Sequence, residues 1–438
     1  MITRIEIDGF KSFESFALDL PPFLVLIGTN ASGKSNLLDA LTFVSRAATH
    51  GLDDAVEMVR GDARGLFRRR GDGTRVDRMS FALEFLLGGF PPHVPNRWRY
   101  EVDLSWAEPE HALEGIVVEA QRIVALLPQN DRWLGRVGMT PEWFDAGLVG
   151  HHSEHAIDML WGPAGERPGL NGLHLRTDRP TSVEADPPDR LIVSQVRLEL
   201  KTVRSLHLEA GALRRPSDLG GNRFLSPNGS SLPNYLRYLA RETKSRTRPL
   251  GVLGEIKMHL VGLVREVSDF AIVEDEHRRD VRLEFSSPYE QGIGAEFASD
   301  GTLRMLAILA VLHDQGLMAI EEPENGVFPE RLRQLLGLAH GLVTDVTELP
   351  EFDEQGAPRP YRQAIFTSHS PVVLDAVPDA NIAFLDMTTV LEGGKASRVS
   401  RVRWLREGDG PVQVEGERWP RVTDSELNRF RAGVEEPV

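Results

Sequence analysis

The feature that most constrains this chain is an eight-residue loop, Gly28 Thr29 Asn30 Ala31 Ser32 Gly33 Lys34 Ser35. It lies between an apolar run at 23–27 (FLVLI) and a helix-like stretch from Asn36 to Arg46. The loop fits G-x-x-x-x-G-K-[ST] at every fixed position. Its glycines let the backbone curl so that successive N–H groups face one phosphate. Lys34 reaches the outer phosphates, and the Ser35 hydroxyl can ligate Mg²⁺. The helix that starts there points its positive end at the anion. The bland alternative is a chance glycine turn, and the order strand, glycine loop, helix argues against it. The spacing predicts an α/β fold in which the loop residues Gly28, Asn30, Ala31, Ser32, Gly33, Lys34 and Ser35 surround nucleotide phosphates.

A second acidic feature follows far along the chain. Leu317 Met318 Ala319 Ile320 Glu321 Glu322 Pro323 reads as a buried strand ending in two carboxylates. A phosphate-bound Mg²⁺ needs an acidic partner, a role that suits Glu321. An attacking water needs a base or orienting group, which suits Glu322. Alone, this is equally an acidic strand-to-loop junction at the surface. Paired with the glycine loop, it reads as the other half of an ATP site.

The rest of the chain narrows the class. There is no cysteine in 438 residues, so disulfides, thiol nucleophiles and zinc–thiolate sites are excluded, which suits a cytoplasmic protein. Net charge is −15, so any DNA contact must come from a local basic patch. No apolar run reaches the roughly 18 residues of a membrane span, and Met1 to Phe10 reads as a strand, not as a signal peptide. Alternation at 79–87, 99–105 and 115–124 predicts antiparallel strands with one wet face. Further strands are expected at 281–286, 317–320 and 363–367, and helices at 232–243, 252–267 and 302–313. From about 126 the pattern loosens, and the many prolines exclude a long heptad coiled coil. These features divide the chain into an ATPase part at 1–125, an inserted α+β subdomain at 126–280, a second ATPase part at 281–395 and a polar tail at 396–438. The last residues, Val434 to Val438, are expected to be disordered.

Several short stretches together resemble the SMC/RecF-like branch of ABC-type ATPases, which includes many prokaryotic proteins known simply as AAA family ATPases. Ile7 Asp8 Gly9 Phe10 Lys11 Ser12 Phe13 resembles the family's first strand and basic turn. Asn30 and Asn36 match positions within and behind its phosphate loop. Ala298 Ser299 Asp300 Gly301 Thr302 Leu303 Arg304 resembles the ABC signature, and Ser299 lies 22 residues before Glu321. Ile320 to Asn325 resembles the Walker B and D-loop segment, and Thr367 Ser368 His369 Ser370 Pro371 the switch-histidine segment. The resemblance spans residues 1 to about 390. It implies a P-loop ABC-type head with a mixed sheet and an antiparallel β subdomain, ATP and Mg²⁺ as cofactors, and a homodimer closed around ATP. In that dimer Ser299 and Gly301 cap the γ-phosphate held by the other copy's Lys34 loop, and His369 meets the same phosphate. The alternatives are a helix N-cap for Ser299 and a satisfied buried histidine for His369.

The chain departs from the family at four places. Glu321 replaces the usual Asp, Asp300 replaces a signature glycine, and Phe328 replaces a common His. Gln121 is only a weak candidate for the Q-loop glutamine. Relatives with a TOPRIM nuclease domain need an Asp-x-Asp pair for metal. None follows His369, where 69 residues remain, and Val414 Glu415 Gly416 is too short an echo of that domain. Any effector, a nuclease or toxin, is therefore expected to be a separate protein.

Other clusters carry weaker expectations. His151 His152 Ser153 Glu154 His155 suits a solvated loop better than zinc. The basic run Arg60 to Arg75 is a candidate DNA or nucleotide contact weakened by Asp62 and Asp72. Arg237 to Arg248 suits a solvated or partner-binding face. Three functions compete: an ATP-driven clamp or sensor in anti-phage defence or DNA repair, an ATP-binding scaffold without turnover, and a transporter ATPase subunit. The 264 residues between Ser35 and Ser299 argue against the transporter, whose spacing is usually about one hundred.

Overall fold

A computed structural model of the protein describes residues 1–88, 96–107, 115–139, 143, 149–151, 153–158, 187–348, 359–405 and 422–432. The expectations for Val434 to Val438 and for Val414 to Gly416 lie outside these residues. The fold is α/β and contains two compact units. One comprises residues 1–203, 344–361 and 379–438, and the other 204–343 and 362–378. The stretch 126–280 is shared between them, with 126–203 in the first and 204–280 in the second.

The first unit begins with β1 (Ile2–Asp8), β2 (Phe16–Asp19), β3 (Phe23–Ile27) and α1 (Lys34–Thr49). Strands β4 (Arg78–Leu86), β5 (Arg97–Ala107), β6 (Gly115–Ala125) and β7 (Ala156–Asp158) follow, then helix α2 (Pro187–Lys201). A six-stranded sheet runs β2-β1-β4-β5-β6-β7, antiparallel at every pairing. Its two faces follow the period-2 pattern. On β5, Trp98, Tyr100, Val102 and Leu104 are buried. Arg99, on the other face, binds Glu6 of β1, Glu84 of β4 and Glu101 of its own strand. Helix α1 buries Leu37, Leu41 and Val44, and its Phe43 ring lies 5.7 Å, centroid to centroid, from both Phe10 and Phe81, which are 5.3 Å from each other. That aromatic cluster fixes the helix whose first turn belongs to the glycine loop.

A buried ion pair staples the end of this sheet. Arg97 donates from Nε and Nη2 to the two carboxylate oxygens of Asp131 at 2.7 and 2.8 Å, and its guanidinium lies 5.2 Å from the centre of the Trp133 ring. His151 meets the same carboxylate at 2.7 Å. Burial alone would raise the Asp131 pKa, but the His151 hydrogen bond and the Arg97 charge outweigh it and hold the group at about 2. Its folded pKa is thus depressed below the ordinary 3.8. The contribution to stability is complete above that ordinary value and is lost as pH falls towards 2. Asp131→Asn is expected to cost about 3–5 kcal/mol at neutral pH, because it leaves a buried guanidinium without its charge partner. Melting curves should show the gap between variant and wild type narrowing below about pH 4. A gap independent of pH would contradict this account.

The second unit holds β8 (Arg204–Leu206), β9 (Ser217–Asp218), α3 (Leu232–Glu242), α4 (Leu253–Leu263), β10 (Asp269–Asp275), β11 (Asp280–Ser286) and β12 (Ile293–Gly294). It continues with α5 (Asp300–Leu312), β13 (Gly316–Glu321), α6 (Pro329–Leu342) and β14 (Arg362–Ser368). Strand β13 is parallel to β14 on one side and to β8 on the other. Buried on both faces, β13 is apolar until its terminal glutamate. Strands β9 to β12 form a small antiparallel sheet.

The chain then returns to the first unit with β15 (Ile382–Glu392) and β16 (Lys395–Trp404). Strand β15 pairs parallel with β3 and antiparallel with β16, which makes a mixed arrangement. Residues 396–404, expected to begin a tail, therefore form most of a ten-residue strand. A capping box of Thr423 and Glu426 opens α7 (Asp424–Arg431).

Candidate functional site

In the first unit, the glycine loop bridges buried β3 and α1. Gly33 is the helix N-cap at φ 104°, and Gly28 has φ 151°. Both positions exclude a side chain. A Cβ on Gly28 would lie 2.1 Å from the Leu385 carbonyl oxygen, and one on Gly33 would lie 2.1 Å from Ser400 Oγ. Ala31 also adopts a left-handed conformation, at φ 60°. Lys34 is 5% exposed, and its ammonium donates to the carbonyls of Gly28 and Thr29 at 2.8 Å each and to Ser32 Oγ at 3.3 Å. Three of its contacts are thus neutral oxygens at a helix N-terminus, a setting whose dipole favours an anion. Ser35 and Asn36 occupy the next turn, and Asn36 Nδ2 donates to Ser12 Oγ at 2.9 Å.

That contact is part of a brace the sequence does not reveal. Ser12 and Ser400 hydroxyls lie 2.7 Å apart, Ser400 Oγ donates to the Ser32 carbonyl at 2.8 Å, and the Ser400 N–H donates to the Ser12 carbonyl. Ser400 stands 388 residues from Ser12 in sequence, so no local signal could pair them.

The basic run is largely spoken for. Arg68 is buried and forms ion pairs with Glu392 and Glu14. Arg60 reaches Asp39 and the Ser35 carbonyl, Arg64 pairs with Asp77, and Arg75 donates to the carbonyls of Gly65 and Phe67. Burying Arg68 requires the two carboxylates it serves, so it is the exposed members of the run that are open to an anion. Arg69 and Arg70 remain exposed. Gln121 is buried in the antiparallel sheet, where its Nε2 donates to the Tyr100 hydroxyl at 2.7 Å. His151 and His155 go to different acids, Asp131 and Asp189, and His152 lies outside the described residues. Among the described residues, no three His, Asp or Glu side chains form a metal cluster.

In the second unit, Ser299 is the N-cap of α5. Its Oγ accepts from the Thr302 N–H at 3.1 Å and lies 2.7 Å from the Thr302 hydroxyl. Asp300, where the family has glycine, forms an ion pair with Arg214, which also donates to the Ala298 carbonyl at 3.1 Å. The substitution thus has a partner, one that the sequence alone does not announce. Gly301 is required by proximity: a Cβ there would lie 2.5 Å from the Gly326 carbonyl oxygen. The signature turn and the loop after β13 therefore pack backbone to backbone.

Glu321 ends β13 and lies opposite Thr367 of β14. Its Oε2 is 3.1 Å from His207 Nδ1. Glu322 follows in a left-handed conformation, φ 48°, which costs a non-glycine residue about 1–2 kcal/mol. Its N–H donates to the Thr367 carbonyl, and its Oε2 accepts from Asn325 Nδ2 at 2.7 Å. His369 Nε2 is 3.8 Å from Glu322 Oε1. Glu324 holds the switch segment, its Oε1 accepting from the Ser368 hydroxyl at 3.0 Å and the His369 N–H at 2.7 Å. The structure thus brings Glu321, Glu322 and His369 to the ends of two adjacent strands. Arg304, half buried on α5, carries its charge in the field of Asp300, Glu322 and Glu324.

Both clusters fall within recognised family sequence. Residues 1–70 match the model of the AAA ATPase domain, and residues 235–375 match the AAA domain described as putative AbiEii toxin, Type IV TA system. The Chromosome partition protein Smc of Methanocaldococcus jannaschii is 48% identical over 44 residues, which are 10% of this chain and 4% of that protein. The match therefore spans only a small part of that relative's length. Among solved structures, an Smc head bound to the C-winged helix domain of ScpA aligns at 13% identity over 91% of this chain and 97% of that one, with a TM-score of 0.48. The SMC head domain from Thermotoga maritima aligns at 10% identity over 94% and 99%, with a TM-score of 0.40.

Proposed function

We propose that this chain, an AAA-type ATPase of the SMC/RecF-like kind, hydrolyses Mg²⁺-bound ATP and uses the cycle to pair two copies of itself. The observation that carries the reading is the glycine loop, with its buried Lys34 ammonium held at the N-terminus of α1. The donor chemistry suits the cofactor: Ser35 offers a hydroxyl and Glu321 a carboxylate, both hard oxygen ligands of the kind Mg²⁺ takes beside phosphate. When bound, Mg²⁺ neutralises charge on the outer phosphates.

The chain's own residues do the rest. Lys34 binds the outer phosphates. Glu322 orients water and accepts its proton, and Asn325 and the strained backbone at Glu322 fix that carboxylate. His369, steadied by Glu324, contacts the γ-phosphate. Ser299 and Gly301 cap the γ-phosphate held by a second copy.

The cytoplasm is the setting we propose. No helix of the described residues is long and apolar enough to cross a membrane. The family description, a putative toxin of a Type IV toxin–antitoxin system, supports a role in anti-phage defence; a separate nuclease or toxin as effector is part of the same proposal and does not rest on that description. DNA repair is the runner-up role, and exposed Arg69 and Arg70 are what remains of a DNA contact. One observation favours a scaffold without turnover: Glu321 in place of aspartate. Steady-state phosphate release by wild type beside Glu322→Gln separates the two. Equal release at background level would establish the scaffold.

A further inference from the structure

We infer that His207 is a positioning residue for Glu321 and adapts the site to the longer acidic side chain. Strand β8 runs parallel to β13 with Leu206 opposite Ile320, so the next residues, His207 and Glu321, emerge side by side. The His207 backbone is itself tied, its N–H donating to the Pro227 carbonyl at 2.9 Å. Its ring Nδ1 lies 3.1 Å from Glu321 Oε2. A carboxylate can only accept here, so Nδ1 carries the proton and donates it into the bond. Glu321 is nearly buried, whereas His207 is largely exposed and is not part of the core.

The need for such a contact follows from chain length. Glutamate has one more rotatable bond than aspartate, and fixing that bond costs side-chain entropy. It also carries the carboxylate about one C–C bond further from the strand end. A donor from the neighbouring strand restricts the extra torsion and sets where Oε2 lies. Groups that orient a metal-facing carboxylate usually contribute 10–100-fold to metal affinity. His207 offers that contact, and it comes from a strand that no nucleotide motif includes.

The inference rests on the reading of Glu321 as the carboxylate facing the Mg²⁺ of bound ATP. The test uses the full chain and the fluorescence of a labelled ATP analogue, with Mg²⁺ titrated at fixed nucleotide. In His207→Ala the half-saturating Mg²⁺ concentration should rise about tenfold, while nucleotide affinity in EDTA stays at the wild-type value. His207→Asn, whose amide N–H stands in for Nδ1–H, should recover most of the loss. In a Glu321→Asp background, His207→Ala should add no further shift, because the shorter acid does not reach the ring. A merely structural histidine would show neither the rescue nor the dependence on acid length. If Glu321→Gln raises the Mg²⁺ requirement and His207→Ala leaves it unchanged, the positioning role is wrong and the reading of Glu321 survives. If Glu321→Gln changes nothing, the reading itself fails. A tenfold effect of His207→Ala that persists in Glu321→Asp overturns the adaptation to chain length.

Discussion

Lys34→Ala is expected to abolish ATP binding at micromolar nucleotide, the range read by titration calorimetry of the purified protein. The ammonium lies at the first residue of α1 and is held by the carbonyl oxygens of Gly28 and Thr29. Each charge-assisted hydrogen bond it makes to a phosphate is worth about 1.5–3 kcal/mol. Two such bonds correspond to more than a hundredfold in affinity. A second term has the same sign. Without the ammonium, the Gly28 and Thr29 carbonyls keep their place but present bare oxygens to an anion. The helix N-terminus and the loop N–H groups remain, so residual binding should be weak, not nil, at millimolar nucleotide. The expected fold is unchanged, because the core contacts of α1 are made by Leu37, Leu41, Phe43 and Val44. Far-ultraviolet circular dichroism checks that point. Wild-type affinity in the folded variant would sink the assignment of the loop.

The parts of the fold governed by short-range pattern were legible before the structure. Alternation placed β4, β5 and β6, because one face of an antiparallel sheet is wet and the other is core. The apolar run before the loop placed β3, and the run before Glu321 placed β13. What escaped were elements whose reason lies elsewhere in the chain. Strand β16 shows in the sequence only as a short strand-like piece of a polar tail, because Arg398, Arg401 and Arg403 alternate with Val399 and Val402. It becomes a strand by pairing with β15 over ten positions. Helix α6 begins at Pro329 behind its N-cap Phe328, and the proline that opens it is a single-residue signal. Strand β8 is three residues long, too short for any periodicity. The same logic divides the site. Gly28 to Ser35 is contiguous and carries its own signature, so it stands out as a candidate from the sequence alone. His207, Arg214, Glu324 and Ser400 act on the motif residues through contacts that only folding creates. Asp300 shows the limit well: it reads as a departure from the signature until Arg214 is found beside it.

Glu322→Gln is expected to lower steady-state hydrolysis about 10²- to 10⁴-fold, the usual worth of a positioned general base. It should also trap ATP. The substitution preserves length and shape, and a glutamine oxygen can still accept from Asn325 Nδ2, which now holds Glu322 Oε2 at 2.7 Å. The left-handed backbone at this position is no harder for glutamine than for glutamate. Binding and chemistry therefore separate in this variant. If the γ-phosphate is capped by Ser299 and Gly301 of a second copy, nucleotide that persists must hold two copies together, since a ligand held more tightly by the paired state than by the single copy stabilises pairing. Light scattering and small-angle X-ray scattering should then show a heavier, more compact species for Glu322→Gln with ATP and Mg²⁺ than without. Ser299→Arg in the same background should prevent it. The hydroxyl of Ser299 sits at the mouth of α5, and a bulky cation there occupies the space the phosphate must enter. The turn cannot yield to make room, because a Cβ on Gly301 would already lie 2.5 Å from the Gly326 carbonyl. A pair of copies held together without nucleotide would mask the change in mass, so the radius of gyration decides that case. An identical radius with and without ATP in Glu322→Gln, together with normal hydrolysis by Ser299→Arg in the otherwise wild-type chain, excludes pairing around the nucleotide. Lys34 and Glu322 would then act within a single copy, with the signature turn serving only as a helix cap.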